Sequence, residues 1–167
     1  FSDALTKLPN RAMLDIRVKM ALDKAQRHPS PFALLFLDLD RFKQINDSLG
    51  HVYGDRVLRE VAQRLQTCVR QVDTVARLGG DEFVLLLDQT EARGAETTAR
   101  RVLDVLAEPF TLDGVSFSVT ASIGIALYPN DGGSLNDLIK NADAAMYRVK
   151  ERGRAGFRFY QPQMNVD

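Results

Sequence analysis

Thr74-Val75-Ala76-Arg77-Leu78-Gly79-Gly80-Asp81-Glu82-Phe83-Val84-Leu85-Leu86-Leu87 consists of two short, largely apolar runs around a polar centre that begins with two glycines. Glycines open tight turns, and runs of this kind on either side of one read as paired strands. The stretch therefore predicts an antiparallel hairpin, with strands at Thr74 to Leu78 and Phe83 to Leu87. A plain tight turn would satisfy the pattern. Two features add to it. Glycines allow a bulky ligand to approach the backbone, and Asp81 and Glu82 set two carboxylates at the hairpin tip.

Upstream, Phe32 to Leu37 is a nearly unbroken apolar run, as expected of a central strand buried on both faces. It ends in Asp38 and Asp40. A carboxylate at the mouth of a central strand is well placed for Mg²⁺, which prefers oxygen ligands. Taken alone, Asp38 reads as a solvated strand end. Asp40 is expected on the other face, with no role. Before this strand, Met13, Leu14, Val18, Ala21, Leu22 and Ala25 recur at helical spacing after the Pro9-Asn10 turn. After it, a short helix is expected from about Phe42 to Leu49. A long amphipathic helix follows through Val57, Leu58, Val61, Leu65 and Cys68.

Downstream of the hairpin, Ala99, Val102, Leu103 and Leu106 mark another helix. From Val115 to Leu127 every odd position is apolar, which predicts one long strand with a single face on the core. Asp113-Gly114 before it suggests a turn back to Thr111 and Leu112. Ser134, with Asp137 three residues on, opens a last helix whose buried stripe is Leu138, Ile139, Ala142, Ala145, Met146 and Val149. Phe157 to Tyr160 is a candidate closing strand. The sum is an α+β fold with a mixed, mainly antiparallel sheet.

The 167 residues suit one domain. Lys plus Arg and Asp plus Glu both number 22, so the chain lacks the basic excess of a non-specific nucleic-acid binder. A polyanion would have to be held by local cations or metal ions. The single cysteine, Cys68, permits no disulfide within the chain. With no apolar run long enough for a membrane span and no signal peptide, the expected setting is reducing and cytoplasmic, with no direct membrane contact. A motif follows Phe1 almost at once, as in a piece of a longer protein, whether membrane-anchored or not. Lys43, Lys150 and Arg154 are candidate phosphate contacts, although each alone reads as a surface cation. Asn46 and Asp55 carry groups that suit a guanine edge: the carboxylate accepts from N1–H and N2–H, and the amide meets O6 or N3. Alone, they read as a turn residue and a helix N-terminus.

Five separated segments together resemble one family. Arg77-Leu78-Gly79-Gly80-Asp81-Glu82-Phe83 is similar to the signature hairpin of GGDEF diguanylate cyclases. Asp3 through Arg11 resembles the family's opening motif. Asp38 through Asp47, with Gly50-His51 and Gly54-Asp55, is similar to its metal and guanine segment. Ala121 through Ala126, and Ala142-Asp143 through Tyr147, Lys150, Gly153 and Arg154, match later blocks. Residues 3 to about 160 are covered, in order and at family spacing. Asp81 stands where many members carry Glu, and Val52 where many carry a polar residue.

The resemblance implies a palm-like, ferredoxin-related fold with a five-stranded sheet over residues 1–162, then a tail or linker at 163–167. It implies a bacterial signalling enzyme that condenses two GTP into cyclic di-GMP and pyrophosphate across a homodimer. Mg²⁺, or Mn²⁺, would be held by Asp38, the Leu39 carbonyl, Asp81 and Glu82. Asp81, Glu82 and Lys150 would be the catalytic set. GTP would be held by Lys43, Asn46, Asp55, Gly79, Gly80, Lys150 and Arg154. Arg70 and Asp73 match the family's RxxD inhibitory site, with Arg101 as a further contact for the product. The alternative is a silent GGDEF module that binds GTP or cyclic di-GMP and regulates a neighbouring EAL phosphodiesterase domain. Phe157 to Tyr160 with Met164-Asn165 resembles a junction into such a domain, and reads equally as a terminal strand and tail.

Overall fold

The computed structural model describes residues 1–165. Helix α1 (Arg11–Arg27) starts at Asn10, whose side chain accepts from the Met13 N–H, the usual role of an N-cap amide. Strand β1 (Phe32–Leu39) follows, then α2 (Phe42–Leu49) and α3 (His51–Thr67). The hairpin is β2 (Thr74–Gly79) and β3 (Glu82–Leu87). Next come α4 (Ala92–Ala107), β4 (Phe110–Leu112), β5 (Val115–Phe117), β6 (Ala121–Tyr128), α5 (Leu135–Glu151) and β7 (Gly156–Phe159). A 3₁₀ turn, Pro162–Asn165, lies on the first part of the expected tail; its last two residues lie outside the described residues.

The main sheet has five strands in the order β2-β3-β1-β6-β7. Only the β6–β7 pair is parallel, so the sheet is mixed and mainly antiparallel, as expected. Strand β1 is central and buried on both faces. Its odd residues, Leu35, Leu37 and Leu39, pack with α3 and α4 residues such as Val61, Leu65, Ala99 and Val102. Its even residues, Phe32, Leu34 and Phe36, pack with Leu14 and Val18 of α1 and Leu138, Ala142 and Met146 of α5. Three layers result, with the sheet in the middle.

The long alternating stretch is not one strand. Val115–Phe117 pairs with β4 in a separate two-stranded sheet, and Ala121–Tyr128 pairs with β1 in the main one. Alternation cannot reveal a change of partner. Strand β6 is also buried on both faces, not on one. Gly124 and Ala126 are small because α5 lies directly on them: a Cβ on Gly124 would stand 1.8 Å from the Ala142 carbonyl oxygen. No helix among the described residues is long and apolar enough to cross a membrane.

Candidate active site

Three local devices bring acids to one end of the sheet. The end of β1 carries Asp38, paired in register with Glu82 at the start of β3. Residues directly opposite in an antiparallel pair share a face, so the two carboxylates project to the same side. The hairpin tip delivers Asp81. Gly79 and Gly80 have φ of 156° and 48°, a region costly for side-chain-bearing residues. Arg77 holds the tip from outside. Its Nε and Nη2 donate to the Gly80 carbonyl at 3.0 and 2.9 Å, and its Nη1 donates to Asp3 at 2.9 Å. The Leu39 N–H donates to the Asp81 carbonyl at 3.3 Å.

Helix α5 supplies Lys150, whose Nζ donates to Asp38 Oδ2 at 2.7 Å. Asp38 Oδ1 is buried and has no partner among the described residues. Asp81 is pushed up to about 7, first by desolvation and then by the hydrogen bond to Asp38 and its charge. These facts agree, because the second Asp38 oxygen can be satisfied if the pair shares a proton. Glu82 is also raised, first by burial and then by Asp38 and Asp143. Asp143 was absent from the sequence-derived site. It sits on α5 seven residues before Lys150, on the same helical face, and is raised by desolvation and the Asp38 charge. Asp143 is exposed, so water screens that shift.

The donor set can be tested for fit to a divalent cation. A buried carboxylate oxygen without a partner, next to a second carboxylate raised by its charge, is an oxygen-rich and electron-rich site. Among the described residues no three His, Cys, Asp or Glu side chains form a ready-made cage. Two carboxylates with a backbone carbonyl suit Mg²⁺, which takes its remaining ligands from water and phosphate.

Asp40 overturns its expected place. Asp40 follows the last residue of β1 and accepts from Ser122, the residue paired with Asp38 across the sheet, so it lies on the side of Asp38, not opposite it. It is 6% exposed and accepts from Thr120 Oγ1, Ser122 Oγ and the Ala155 N–H at 2.7, 2.7 and 3.0 Å. It is therefore neither solvated nor idle. The other candidates fall in two groups. Asn46 is half-buried on α2, and its Oδ1 occupies the space a Cβ on Gly54 would need, 1.8 Å away; Asp55 is the next residue along α3. Lys43, in the first turn of α2, and Arg154, after α5, are exposed.

A second cluster lies beyond the far end of β2. Arg70, Asp73 and Arg101 line one groove with Thr90 and Arg93. Asp73 has a side chain only 3% exposed. It accepts from Arg70 Nη2, Nε and N at 2.9, 3.1 and 2.8 Å, and from the Asp88 N–H at 2.9 Å. Arg70 also donates to the Asp88 carbonyl and to Thr90 Oγ1. Arg101 donates to the Cys68 carbonyl at 3.0 Å. The pair that matches the RxxD site is thus half structural: the arginine is open and the aspartate is saturated.

Comparison with known proteins gives a consistent answer. The family profile described as "Diguanylate cyclase, GGDEF domain" matches residues 1–156. The bifunctional diguanylate cyclase/cyclic di-GMP phosphodiesterase MucR of Pseudomonas aeruginosa is 48% identical over 165 residues. That match covers 99% of this chain and 24% of MucR, so the chain spans about a quarter of that relative. A GGDEF-only form of TpbB (YfiN) from Pseudomonas aeruginosa superposes with a TM-score of 0.95 at 41% identity, covering 99% of this chain and 98% of that one. The GGDEF domain of DgcB from Caulobacter crescentus, solved in complex with c-di-GMP, gives 0.87 at 29% identity, covering 95% and 94%.

Proposed function

This chain belongs to the GGDEF family, and from that premise we propose that it is a diguanylate cyclase that makes cyclic di-GMP from two GTP molecules. The observation that carries the reading is the partnerless buried oxygen of Asp38 beside Asp81, with Glu82 in register and Lys150 in contact. Nothing in the core requires this concentration of acids. It is costly when empty and suits a cation-bound polyphosphate.

Asp38, the Leu39 carbonyl, Asp81 and Glu82 would hold Mg²⁺ or Mn²⁺, which when bound neutralises triphosphate charge and polarises the phosphorus. Lys150, with Lys43 and Arg154, holds the triphosphate, and Gly79 and Gly80 leave the hairpin backbone open beside it. No atom lies within 4 Å of where a Cβ at either glycine would stand. Asn46 and Asp55 select guanine. Glu82 either shares in holding the cation or takes the proton of the ribose 3′-hydroxyl. One domain binds one GTP, so two copies face each other. Each 3′-oxygen bonds to the other nucleotide's α-phosphorus, the bond from that phosphorus to pyrophosphate breaks, and two pyrophosphates leave.

The Arg70–Arg101 groove is the product site in this reading. Arg70 offers a guanidinium to a phosphate or a guanine face, and Asp73 holds it in place. Bound product would join two domains with their active sites apart. The relative made of both activities, and the intact Gly79-Gly80-Asp81-Glu82 here, favour synthesis over a silent module. The test is incubation with GTP and Mg²⁺, followed for cyclic di-GMP, beside a variant carrying Asp81→Ala and Glu82→Ala. Product from the parent and none from the folded variant is expected. Equal synthesis by both would end the site assignment.

A further inference from the structure

We infer that Asp40 is a positioning residue for Arg154, fixing the loop from which that arginine reaches the triphosphate. The inference rests on the nucleotide reading above and assigns a task to a buried acid it leaves unused. Asp40 is buried with no Lys or Arg bonded to it among the described residues. Its three donors come from two places. Thr120 and Ser122 belong to the approach and start of β6, and Ala155 belongs to the loop between α5 and β7. Through one side chain the end of β1 is tied to both.

That loop needs a tie. Gly153, Arg154 and Ala155 have φ of 109°, 69° and 52° in succession. Two of the three carry side chains, and such residues adopt this region only where their surroundings impose it. Residues 151–155 are exposed, so packing does not impose it. Hydrogen bonds do. The Arg154 N–H donates to the Val149 carbonyl at 2.9 Å, capping α5. The Ala155 N–H donates to Asp40 Oδ2 at 3.0 Å. One side of the turn is held by the helix and the other by Asp40. Asp38, two residues earlier on the same strand, holds Lys150. The end of β1 thus sets both α5-derived cations. A long cation on a fixed backbone loses less freedom on binding a phosphate than one on a loose loop. Asp40 therefore acts on GTP affinity through Arg154 and takes no part in bond making.

The variants are chosen from this geometry. Asp40→Ala removes the acceptor. Asp40→Asn keeps it: the amide oxygen can face Ala155 and Thr120, while its NH₂ donates to the Ser122 hydroxyl, which can reverse its role. Mg²⁺–GTP affinity is measured by equilibrium titration. Asp40→Ala is expected to bind about tenfold more weakly, Asp40→Asn close to the parent, and Arg154→Ala about as weakly as Asp40→Ala. In the Arg154→Ala background, Asp40→Ala should cost nothing more. If Asp40→Ala does not fold, replacing the Ala155 peptide N–H by an ester oxygen removes the one hydrogen bond and should reproduce the loss. Undiminished binding without that acceptor or donor, while Arg154→Ala binds weakly, overturns the inference and leaves the nucleotide reading standing. An additive loss in the Arg154→Ala background overturns it as well, because Asp40 then does not act through Arg154. No GTP binding by the parent would remove the nucleotide reading and this inference with it.

Discussion

Asp81 is the residue whose ionisation is most affected by its neighbours, moved from the ordinary 3.8 to about 7 by burial and by Asp38. A raised carboxyl binds its proton more tightly folded than unfolded. Its contribution to stability is full below the unfolded value and is lost as pH rises through the folded one. Glu82 and Asp143 are shifted in the same direction. The metal-free protein should therefore lose thermal stability as pH rises from 3.8 to about 7. Asp81→Asn should flatten that slope, and Mg²⁺ should restore stability at the alkaline end. A melting temperature that climbs through this window would contradict the coupling. Gly54 gives a second residue-scale prediction. Gly→Ala inside a helix ordinarily stabilises by about 1 kcal/mol, but here the new Cβ would fall 1.8 Å from Asn46 Oδ1. Gly54→Ala should displace that amide and reduce the preference for GTP over ATP, as seen by paired titrations; an unchanged preference would remove Asn46 from base selection. The acids at the hairpin tip were legible because turn and strand mouth are both visible in the residue pattern. Asp143 was not, because its relation to Asp38 exists only once α5 packs on β1. Asp40 was misplaced by a simple parity: two residues along a strand return to the same face.

The elements separate the two members of the proposed product groove. Arg70 reaches out, while Asp73 is buried and takes bonds from Arg70 and from the Asp88 N–H, joining the turn before β2 to the end of β3. Arg70→Ala should weaken cyclic di-GMP binding and relieve product inhibition, and it should also cost stability, because the buried Asp73 carboxylate loses its guanidinium partner. Asp73→Ala should destabilise the fold by about 1–3 kcal/mol, since it leaves the partly buried Asp88 N–H unpaired and unties the turn before β2 from the end of β3. Chemical denaturation of both variants, with product titration alongside, checks the split. Parent-like stability of Asp73→Ala would mean that Asp73 is not the staple its contacts describe. The helices and the hairpin could be read from period and punctuation. The division of Val115 to Leu127 could not, because both pieces alternate in phase and differ only in partner. The small residues of β6 were taken as a solvent face, yet Ser122 is buried against Asp40, and Gly124 and Ala126 meet α5.

At the scale of the molecule, each chain presents half of a reaction in the proposed reading. The acidic mouth lies at one end of the sheet, and the Arg70 groove lies beyond the other end of β2, so the proposed synthesis and its restraint would use separate surfaces. The fold could be anticipated as a whole because five motifs occur in order, although none of them alone distinguishes a site from a turn. The most direct test of the account is the rate of cyclic di-GMP formation per chain, measured with GTP and Mg²⁺ over a series of chain concentrations, and again with two chains joined by a parallel coiled coil. The account predicts a rate per chain that rises with concentration, becomes independent of it in the joined form, and disappears with Asp81→Ala and Glu82→Ala. No product even from the joined form, or a rate per chain indifferent to concentration in the unjoined one, would contradict it.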